Sequence, residues 1–205
     1  MPTTFFFDLF GVLLGADKSA LIHYISKKTE NKYEEVGRIF SKLFLELERQ
    51  VTVGRDAEEK AFHQFFYNLQ NSLNNGKLLT LGEFKSAWEK QDISELPTLI
   101  YLPKLRNKYS LNLISNVSNS YLKVLQRKFD FFYLFDNYIT SESANYSKPS
   151  IQIFQFALNK IGILPKEAVF IDDQKQNINS AESIGIEGHH YQSFEQFKKF
   201  ISPFL

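Results

Sequence analysis

Apolar strands alternate with helices in the second half of this 205-residue chain, and this alternation restricts the possible folds most strongly. After Pro97, short apolar runs typical of buried strands are followed by segments with apolar residues at helical spacing. The predicted strands are Leu111–Ile114, Tyr138–Thr140 and Ala168–Ile171, and the predicted helices are Asn119–Phe129, Ile151–Ile161, Gln174–Ile184 and Phe194–Ile201. This alternation predicts a parallel, doubly wound α/β sheet.

The N-terminal part adds one strand and a helical insertion. Phe5–Leu9 is a short apolar run that predicts a first buried strand. From about residue 21 to residue 88, apolar residues recur at helical spacing, and the segment contains no convincing strand. We therefore predict a Rossmann-like core made of residues 1–15 and 97–205, with a helical domain at residues 16–96 inserted after the first strand.

Composition excludes several classes of function. The formal net charge is +1, so there is no electrostatic reason to expect nucleic acid or an anionic membrane as a partner. The chain has no cysteine, which excludes disulfides, thiolate catalysis and Cys-ligated metals. No apolar run approaches the roughly 20 residues that span a bilayer, and the N-terminus lacks the basic region of a secretory signal. We expect a cytoplasmic protein.

Polar side chains lie where the predicted strands end, and a lysine precedes the helix after the short strand at 138–140. These side chains are Asp8, Ser115, Asn116, Lys148, Asp172 and Asp173. In an open parallel sheet, sites form at the carboxyl ends of the strands, so we expect these groups around one cavity. Carboxylate oxygens suit Mg²⁺, and the lysine, serine and asparagine would then meet the anionic oxygens of a phosphoryl group.

Taken singly, each of these residues also has a simpler interpretation. Asp8 could be a turn or cap residue, and Asp172–Asp173 could be the N-cap of the next helix. Ser115–Asn116 could simply begin a helix, and Lys148 could be a solvated surface lysine. Asn177 could face solvent or orient a metal-bound water. The functional interpretation gains its weight from the occurrence of all of them in one order.

Four segments together resemble the motifs of the haloacid dehalogenase superfamily, in the superfamily's order. They are Asp8-Leu9-Phe10-Gly11-Val12-Leu13, Leu113-Ile114-Ser115-Asn116, Ser147-Lys148-Pro149 with Ile153-Phe154, and Phe170-Ile171-Asp172-Asp173 with Asn177. The resemblance extends from residue 5 to about residue 185. The inserted helices resemble the superfamily's helical cap, and Glu48–Arg55 is similar to a cap segment of the branch containing sugar-phosphate phosphatases and the N-terminal phosphatase domain of epoxide hydrolases.

The resemblance implies a reaction and a role for each residue. Asp8 would attack phosphorus and form an aspartyl-phosphate, which water would then hydrolyse. Ser115 and Asn116 would hydrogen-bond the phosphoryl group, and Lys148 would neutralise its charge and that of Asp8. The implied substrate is a small phosphorylated metabolite, whose identity the sequence does not reveal, and the oligomeric state is equally open.

The resemblance also implies a Mg²⁺ site. Its ligands would be the Asp8 side chain, the Phe10 backbone carbonyl and the Asp172–Asp173 pair. Adjacent residues of a strand point to opposite faces, so we expect only one member of that pair to bind the ion directly. We favour Asp173.

Phe10 departs from the superfamily's pattern. Most of its phosphatases have a second aspartate two residues after the nucleophile as general acid and base, whereas Phe10 has no proton to donate. Haloacid dehalogenases commonly have tyrosine there and use no metal, but their fourth motif lacks an acidic pair such as Asp172–Asp173. Three hypotheses remain: a Mg²⁺-dependent phosphatase, which the acidic pair favours; a metal-independent 2-haloacid dehalogenase; and a non-catalytic protein that binds phosphometabolites or a partner.

Overall fold

The computed structural model describes residues 2–50 and 55–205. In these ranges the strands are β1 (Thr4–Phe7), β2 (Leu14–Asp17), β3 (Asp92–Glu95), β4 (Ser110–Ser115), β5 (Asn137–Thr140), β6 (Ala168–Asp172) and β7 (Glu187–His190). The helices are α1 (Ser19–Thr29), α2 (Tyr33–Gln50), α3 (Arg55–Ser72), α4 (Leu81–Glu89), α5 (Leu102–Arg106), α6 (Asn119–Lys128), α7 (Ser141–Ala144), α8 (Ile151–Ile161), α9 (Lys175–Ser183) and α10 (Phe194–Ile201).

Five strands form a parallel sheet in the order β5-β4-β1-β6-β7. The central strand is β1, in which Phe5 is paired with Leu111 of β4 and with Val169 of β6. All residues of β1 are buried, as expected for a parallel sheet that is covered on both faces. The predicted α/β fold, with a parallel sheet and a helical insertion, is confirmed.

The carboxyl ends of the three central strands meet at one edge of the sheet. Phe7, the last residue of β1, is paired with Leu113 of β4 and Ile171 of β6. Directly after β1, the Asp8 N–H donates to the carbonyl of Ile171 at 2.9 Å. Because β4 and β6 end within two residues of this register, Ser115 and Asp172 lie at the same edge as Asp8. Ligands of open α/β sheets bind at this edge.

The hydrophobic core under this edge includes residues of α8, α9 and the central strands. Phe154 of α8 packs edge-on against Phe170 of β6, with ring centroids 5.0 Å apart. Both side chains are fully buried, and burying a phenylalanine contributes roughly 2–3 kcal/mol. Since α8 begins three residues after Lys148, this packing helps to fix the segment that contains the lysine.

The chain divides into two compact units, a core unit of residues 1–15 and 94–205 and a helical unit of residues 16–93. The second division lies three residues before the predicted boundary at 96/97. The Leu96 N–H donates to the carbonyl of Leu13 at 2.9 Å, which ties the residues just before Pro97 to the core unit.

A separate two-stranded sheet pairs β2 with β3, which flank in the sequence the stretch 21–88 that was predicted to contain no strand; neither of these two strands was predicted. β3 has a single apolar residue, Ile93, and its other three residues are exposed. Its sequence therefore lacks the alternating or continuous apolar pattern by which strands are recognised.

The helical unit has an aromatic interior. Phe65 of α3 packs edge-on against Phe40 of α2 with ring centroids 5.2 Å apart, and Phe66 lies 5.4 Å from Phe84 of α4. The segment 48–55, which resembles a cap segment, includes residues 51–54 outside the described ranges. Among the described helices, none is long and apolar enough to cross a membrane.

Candidate active site

A buried lysine between two aspartates forms the centre of the site. Lys148 Nζ lies 2.8 Å from Asp8 Oδ1 and 2.6 Å from Asp172 Oδ2. All three side chains are at most 9% exposed. Burying charged groups is unfavourable unless they are paired and hydrogen-bonded. Here the ammonium of Lys148 contacts a carboxylate on each side. The structure thus brings together three residues separated by up to 164 positions in the sequence.

The Asp8 carboxylate is fixed by the start of the loop after β1. The Leu9 N–H donates to Asp8 Oδ1 at 2.7 Å. The side chain is 9% exposed, so Asp8 keeps limited access to solvent at the sheet edge. A residue that only shapes a turn does not need a buried lysine as partner. The ion pair with Lys148 therefore argues against the interpretation of Asp8 as a simple turn or cap residue.

Asp172 is held more tightly than Asp8. Besides the lysine, its Oδ1 accepts from the Gln174 N–H at 2.8 Å, and the Asn177 amide donates to both carboxylate oxygens at 3.0 Å. The Asp172 side chain is fully buried. The Gln174 contact is a local turn bond, yet Asp172 also serves as the second partner of Lys148.

Asp173 completes an acidic cluster with Asp8 and Asp172. One carboxylate oxygen from each lies within 4.8 Å of the others, and Asp173 is the exposed member. Gly11, with φ of +84°, allows the loop after β1 to approach this carboxylate, because a side-chain carbon there would lie 2.4 Å from Asp173 Oδ2. On the other side, His190 Nε2 lies 2.9 Å from the Asp173 backbone carbonyl. In the sequence Gly11 stood out only as part of the first motif, and nothing there indicated its approach to Asp173 or the contact of His190.

The electrostatics of the cluster favour a cation. Burial, together with the charges of Asp172 and Asp173, raises the pKa of Asp8 from its usual 3.8 to about 8, although the Lys148 ammonium opposes this. Burial alone would lower the pKa of Lys148, but the carboxylates of Asp172 and Asp8 raise it. A divalent cation with oxygen ligands would offset the mutual repulsion of these three carboxyl groups and favour the ionised form of Asp8.

A buried acceptor beside the cluster also fits a hydrated cation. Asn177 Oδ1 is buried and has no hydrogen-bond partner within the described part of the chain. Its amide nitrogen is occupied by Asp172. An unsatisfied buried carbonyl oxygen costs about 1–3 kcal/mol, and a metal-bound water is a donor that would satisfy it.

The predicted phosphoryl ligands of β4 differ in their surroundings. Ser115 is the last residue of β4 and is 5% exposed, at the edge where Asp8 and Asp172 lie. Asn116, the residue directly after β4, was predicted to hydrogen-bond the phosphoryl group; in the structure its side-chain amide contacts the Lys148 main chain. The carbonyl oxygen accepts from the Lys148 N–H at 2.8 Å, and the amide nitrogen donates to the Lys148 carbonyl at 2.9 Å.

Phe10 occupies the position at which most phosphatases of the resembled superfamily have an aspartate as proton donor. Its side chain is half-buried and lies parallel to the ring of Tyr121, with centroids 6.2 Å apart and planes 10° apart. Tyr121 belongs to the first turn of α6, the helix that follows Ser115 along the chain. Sequence reasoning did not identify Tyr121, because nothing in its neighbourhood marks it as a partner of residue 10.

Comparison with known proteins identifies the family. A family model for haloacid dehalogenase-like hydrolases matches residues 2–185. The chain therefore belongs to the haloacid dehalogenase-like hydrolase family, and the resemblance of the four motifs is confirmed.

Individual relatives differ in what they act on. A D-ribitol-5-phosphate phosphatase of Bacteroides thetaiotaomicron is 25% identical over 197 residues, covering 88% of this chain and 87% of the relative. A haloacid dehalogenase-family enzyme of the same organism, solved in complex with magnesium and inorganic phosphate, is 25% identical with a TM-score of 0.67, covering 98% of this chain and 99% of that one. The L-2-haloacid dehalogenase of Xanthobacter autotrophicus is 15% identical with a TM-score of 0.68, covering 98% and 83%, and shares the fold.

Proposed function

We propose that this hydrolase is a Mg²⁺-dependent phosphatase that acts on a small phosphorylated metabolite, with Asp8 as its nucleophile. The single observation that supports this most strongly is the buried ion pair of Asp8 with Lys148 beside the acidic cluster. A carboxylate that is held in place at a sheet edge, next to a fixed ammonium, suits attack on an anionic phosphoryl group.

The residues present fit Mg²⁺. The Asp8 and Asp173 carboxylates and the Phe10 backbone carbonyl would hold it. Asp172 is the poorer candidate for direct ligation, because Lys148, Asn177 and a backbone N–H already contact its carboxylate. When bound, the ion supplies positive charge to the phosphoryl oxygens. The relative solved with magnesium and inorganic phosphate supports this choice of cation.

The chain's own residues then account for the two steps. An Asp8 carboxylate oxygen forms a bond to phosphorus as the ester P–O bond breaks, and the leaving oxygen takes both bonding electrons. Lys148 keeps Asp8 oriented and offsets the charge of the phosphoryl group, and the Ser115 hydroxyl donates to a phosphoryl oxygen. Water then attacks phosphorus, which releases phosphate and restores Asp8.

The absence of an acid at residue 10 restricts the kinds of phosphate ester that should react quickly. Phe10 cannot protonate the departing oxygen, so that oxygen must leave as an anion or take its proton from water. General acid catalysis is typically worth about 10²–10⁴-fold. We therefore expect phosphates with good leaving groups, such as aryl and acyl phosphates, to react faster than alkyl phosphates.

The 2-haloacid dehalogenase alternative draws on the same Phe10, because its reaction needs no acid at this position. In that reaction Asp8 would attack carbon and halide would leave. A metal-free site would, however, leave three carboxylates close together, so the acidic cluster favours the phosphatase.

A substrate screen distinguishes these functions. Phosphorylated metabolites, p-nitrophenyl phosphate and 2-chloropropionate are each incubated with the protein in Mg²⁺ or in EDTA. We expect phosphate release that requires Mg²⁺ and is lost in chelator. Halide release in EDTA would establish the dehalogenase instead, and phosphate binding without turnover across the panel would establish a binding protein.

A further inference from the structure

The Asn116 side chain holds the main chain of Lys148 at two points. It accepts from the Lys148 N–H at 2.8 Å and donates to the Lys148 carbonyl at 2.9 Å. The two residues are 32 positions apart in the sequence. A pair of hydrogen bonds to both polar groups of one residue fixes its orientation as well as its position, which a single bond would not do.

The residue held in this way provides the central ammonium of the site. Lys148 has a long, flexible side chain, yet its Nζ makes two contacts under 3 Å, to Asp8 and to Asp172. A flexible side chain reaches both partners only if its main chain starts from the right place. Asn116 supplies that placement from the end of β4, which it directly follows, while α8 anchors the segment on its C-terminal side.

We propose that Asn116 is a positioning residue that acts on the reaction through Lys148, and that its side chain is not a direct ligand of the phosphoryl group. The inference rests on the proposed function only in so far as Lys148 acts on phosphate. The placement of the ammonium is a property of the protein itself and is tested separately from turnover.

A double-mutant cycle distinguishes positioning from direct contact. Affinity for inorganic phosphate is measured by calorimetry in saturating Mg²⁺ for the wild type, Asn116→Ala, Lys148→Met and the double variant. Loss of a supporting contact typically weakens a site about 10–100-fold, so we expect Asn116→Ala to lower phosphate affinity by about 10-fold or more. In the Lys148→Met background the same change should cost less than about threefold, because the two residues act as a unit.

An equal loss in both backgrounds would overturn the proposal, since Asn116 would then contact the phosphate without the lysine. Unchanged phosphate affinity in Asn116→Ala would overturn it as well. If Asn116→Ala does not fold, Asn116→Ser takes its place, because the shorter hydroxyl cannot bridge both polar groups of Lys148. The same pattern is then expected.

The second measurement needs neither substrate nor metal. In protein labelled with ¹⁵N-lysine, an ammonium buried between two carboxylates exchanges slowly enough to be seen by NMR, and its signal is assigned by its absence in Lys148→Met. We expect this signal to shift or disappear in Asn116→Ala. If it stays unchanged in the folded variant, Asn116 does not position Lys148, whatever the enzyme's activity proves to be.

Asn112→Ala is the matched control. Asn112 is a fully buried asparagine of β4, the strand that Asn116 directly follows, and its side chain contacts Asn137 and Ser110. It lies four residues before Asn116, which is about 13 Å along a strand. Asn112→Ala should keep both the ammonium signal and the phosphate affinity. A loss equal to that of Asn116→Ala would mean that any asparagine in or next to β4 has the same effect, which would refute a specific role of Asn116.

Discussion

The core unit and the helical unit bury polar groups in different ways. In the helical unit, the buried polar residues Thr29 and Asn31 are neutral and are satisfied by nearby backbone groups and by each other. In the core unit, the ionisable side chains of Asp8, Lys148 and Asp172 are buried in contact with one another. Neutral polar groups whose hydrogen bonds are made nearby are compatible with a stable fold. Clustered buried ionisable groups lower the stability of the fold, and they are typical of functional sites. The difference supports placing the proposed reaction in the core unit.

The largest expected effect is the loss of activity on changing Asp8 in the core unit, compared with an aspartate of the helical unit. Asp8→Asn should lower kcat by at least about 10⁴-fold, since an amide is a poor nucleophile. Its fold should persist, because one of three mutually repelling carboxylates is removed, but the increase in Tm on adding Mg²⁺ should shrink. Asp17→Asn, a change of an exposed aspartate in the helical unit, is the control and should alter neither quantity. Substantial activity in purified Asp8→Asn would rule out Asp8 as the nucleophile.

A cavity created by mutation in the helical unit should lower the free energy of unfolding without changing the affinity of the proposed Mg²⁺ site. Phe84 is fully buried in the aromatic interior, so Phe84→Ala should destabilise the protein by about 3–5 kcal/mol. Denaturant unfolding measures this loss, and Mg²⁺ titration of the folded variant should give wild-type affinity. Phe154→Ala, the matched change beneath the site, should weaken both. If Phe84→Ala reduces Mg²⁺ affinity as much as Phe154→Ala does, the two units are not energetically separate.

Introducing an acid at residue 10 tests the proposed preference for good leaving groups. Phe10→Asp should accelerate alkyl phosphate hydrolysis by up to about 10²-fold and change aryl phosphate hydrolysis little, since a phenolate leaves without protonation. The ring of Phe10 is half-buried against Tyr121, so Tm must be measured beside the kinetics. Phe10→Leu, which removes the ring without adding an acid, is the control. Unchanged alkyl-to-aryl selectivity in a folded Phe10→Asp enzyme would show that the proton comes from elsewhere.

The smallest predicted effect concerns a histidine that the reaction does not use. His189 is 7% exposed, and burial, helped by His190, lowers its pKa from 6.5 to about 4. Between these pH values His189 is protonated in the unfolded chain and neutral in the folded chain. The free energy of unfolding therefore falls as the pH falls from 6.5 to 4. The shift corresponds to at most about 3 kcal/mol.

His189→Phe should remove that part of the acid sensitivity, measured as the difference in unfolding free energy between pH 7 and pH 4.5. His23→Gln, which changes an exposed histidine of the helical unit, should leave it in place. Equal acid sensitivity in wild type and His189→Phe would mean that this imidazole does not couple folding to pH.

The sequence predicted the strands that contain an apolar run and missed those that do not. Apolar runs identified β1, β4 and β6, which are buried along most of their length. The edge strand β7 was missed because Glu187–His190 has no aliphatic or aromatic hydrophobic residue and depends on pairing with β6. Pairing partners are set by the tertiary fold, which a local pattern does not contain.

The same limit applies to the site. Acidic and basic residues at strand ends could be recognised, and the family is confirmed, whereas the roles of individual residues remain predictions. The bond between Asn116 and Lys148 could not be predicted, because it joins a side chain to the main chain of a residue 32 positions away. No residue type at position 148 would reveal that its backbone is held.

The central claim is that water attacks phosphorus bound to Asp8, and an isotope experiment tests it most directly. The enzyme hydrolyses p-nitrophenyl phosphate under single-turnover conditions in H₂¹⁸O with Mg²⁺, and both the phosphate and the peptide containing Asp8 are analysed by mass spectrometry. We predict one ¹⁸O in the phosphate and none in Asp8. With 2-chloropropionate, a dehalogenase would carry ¹⁸O into the Asp8 carboxylate, because water would attack the ester carbon. Label in Asp8 from either substrate, or phosphate release that survives in Asp8→Asn, would contradict the account.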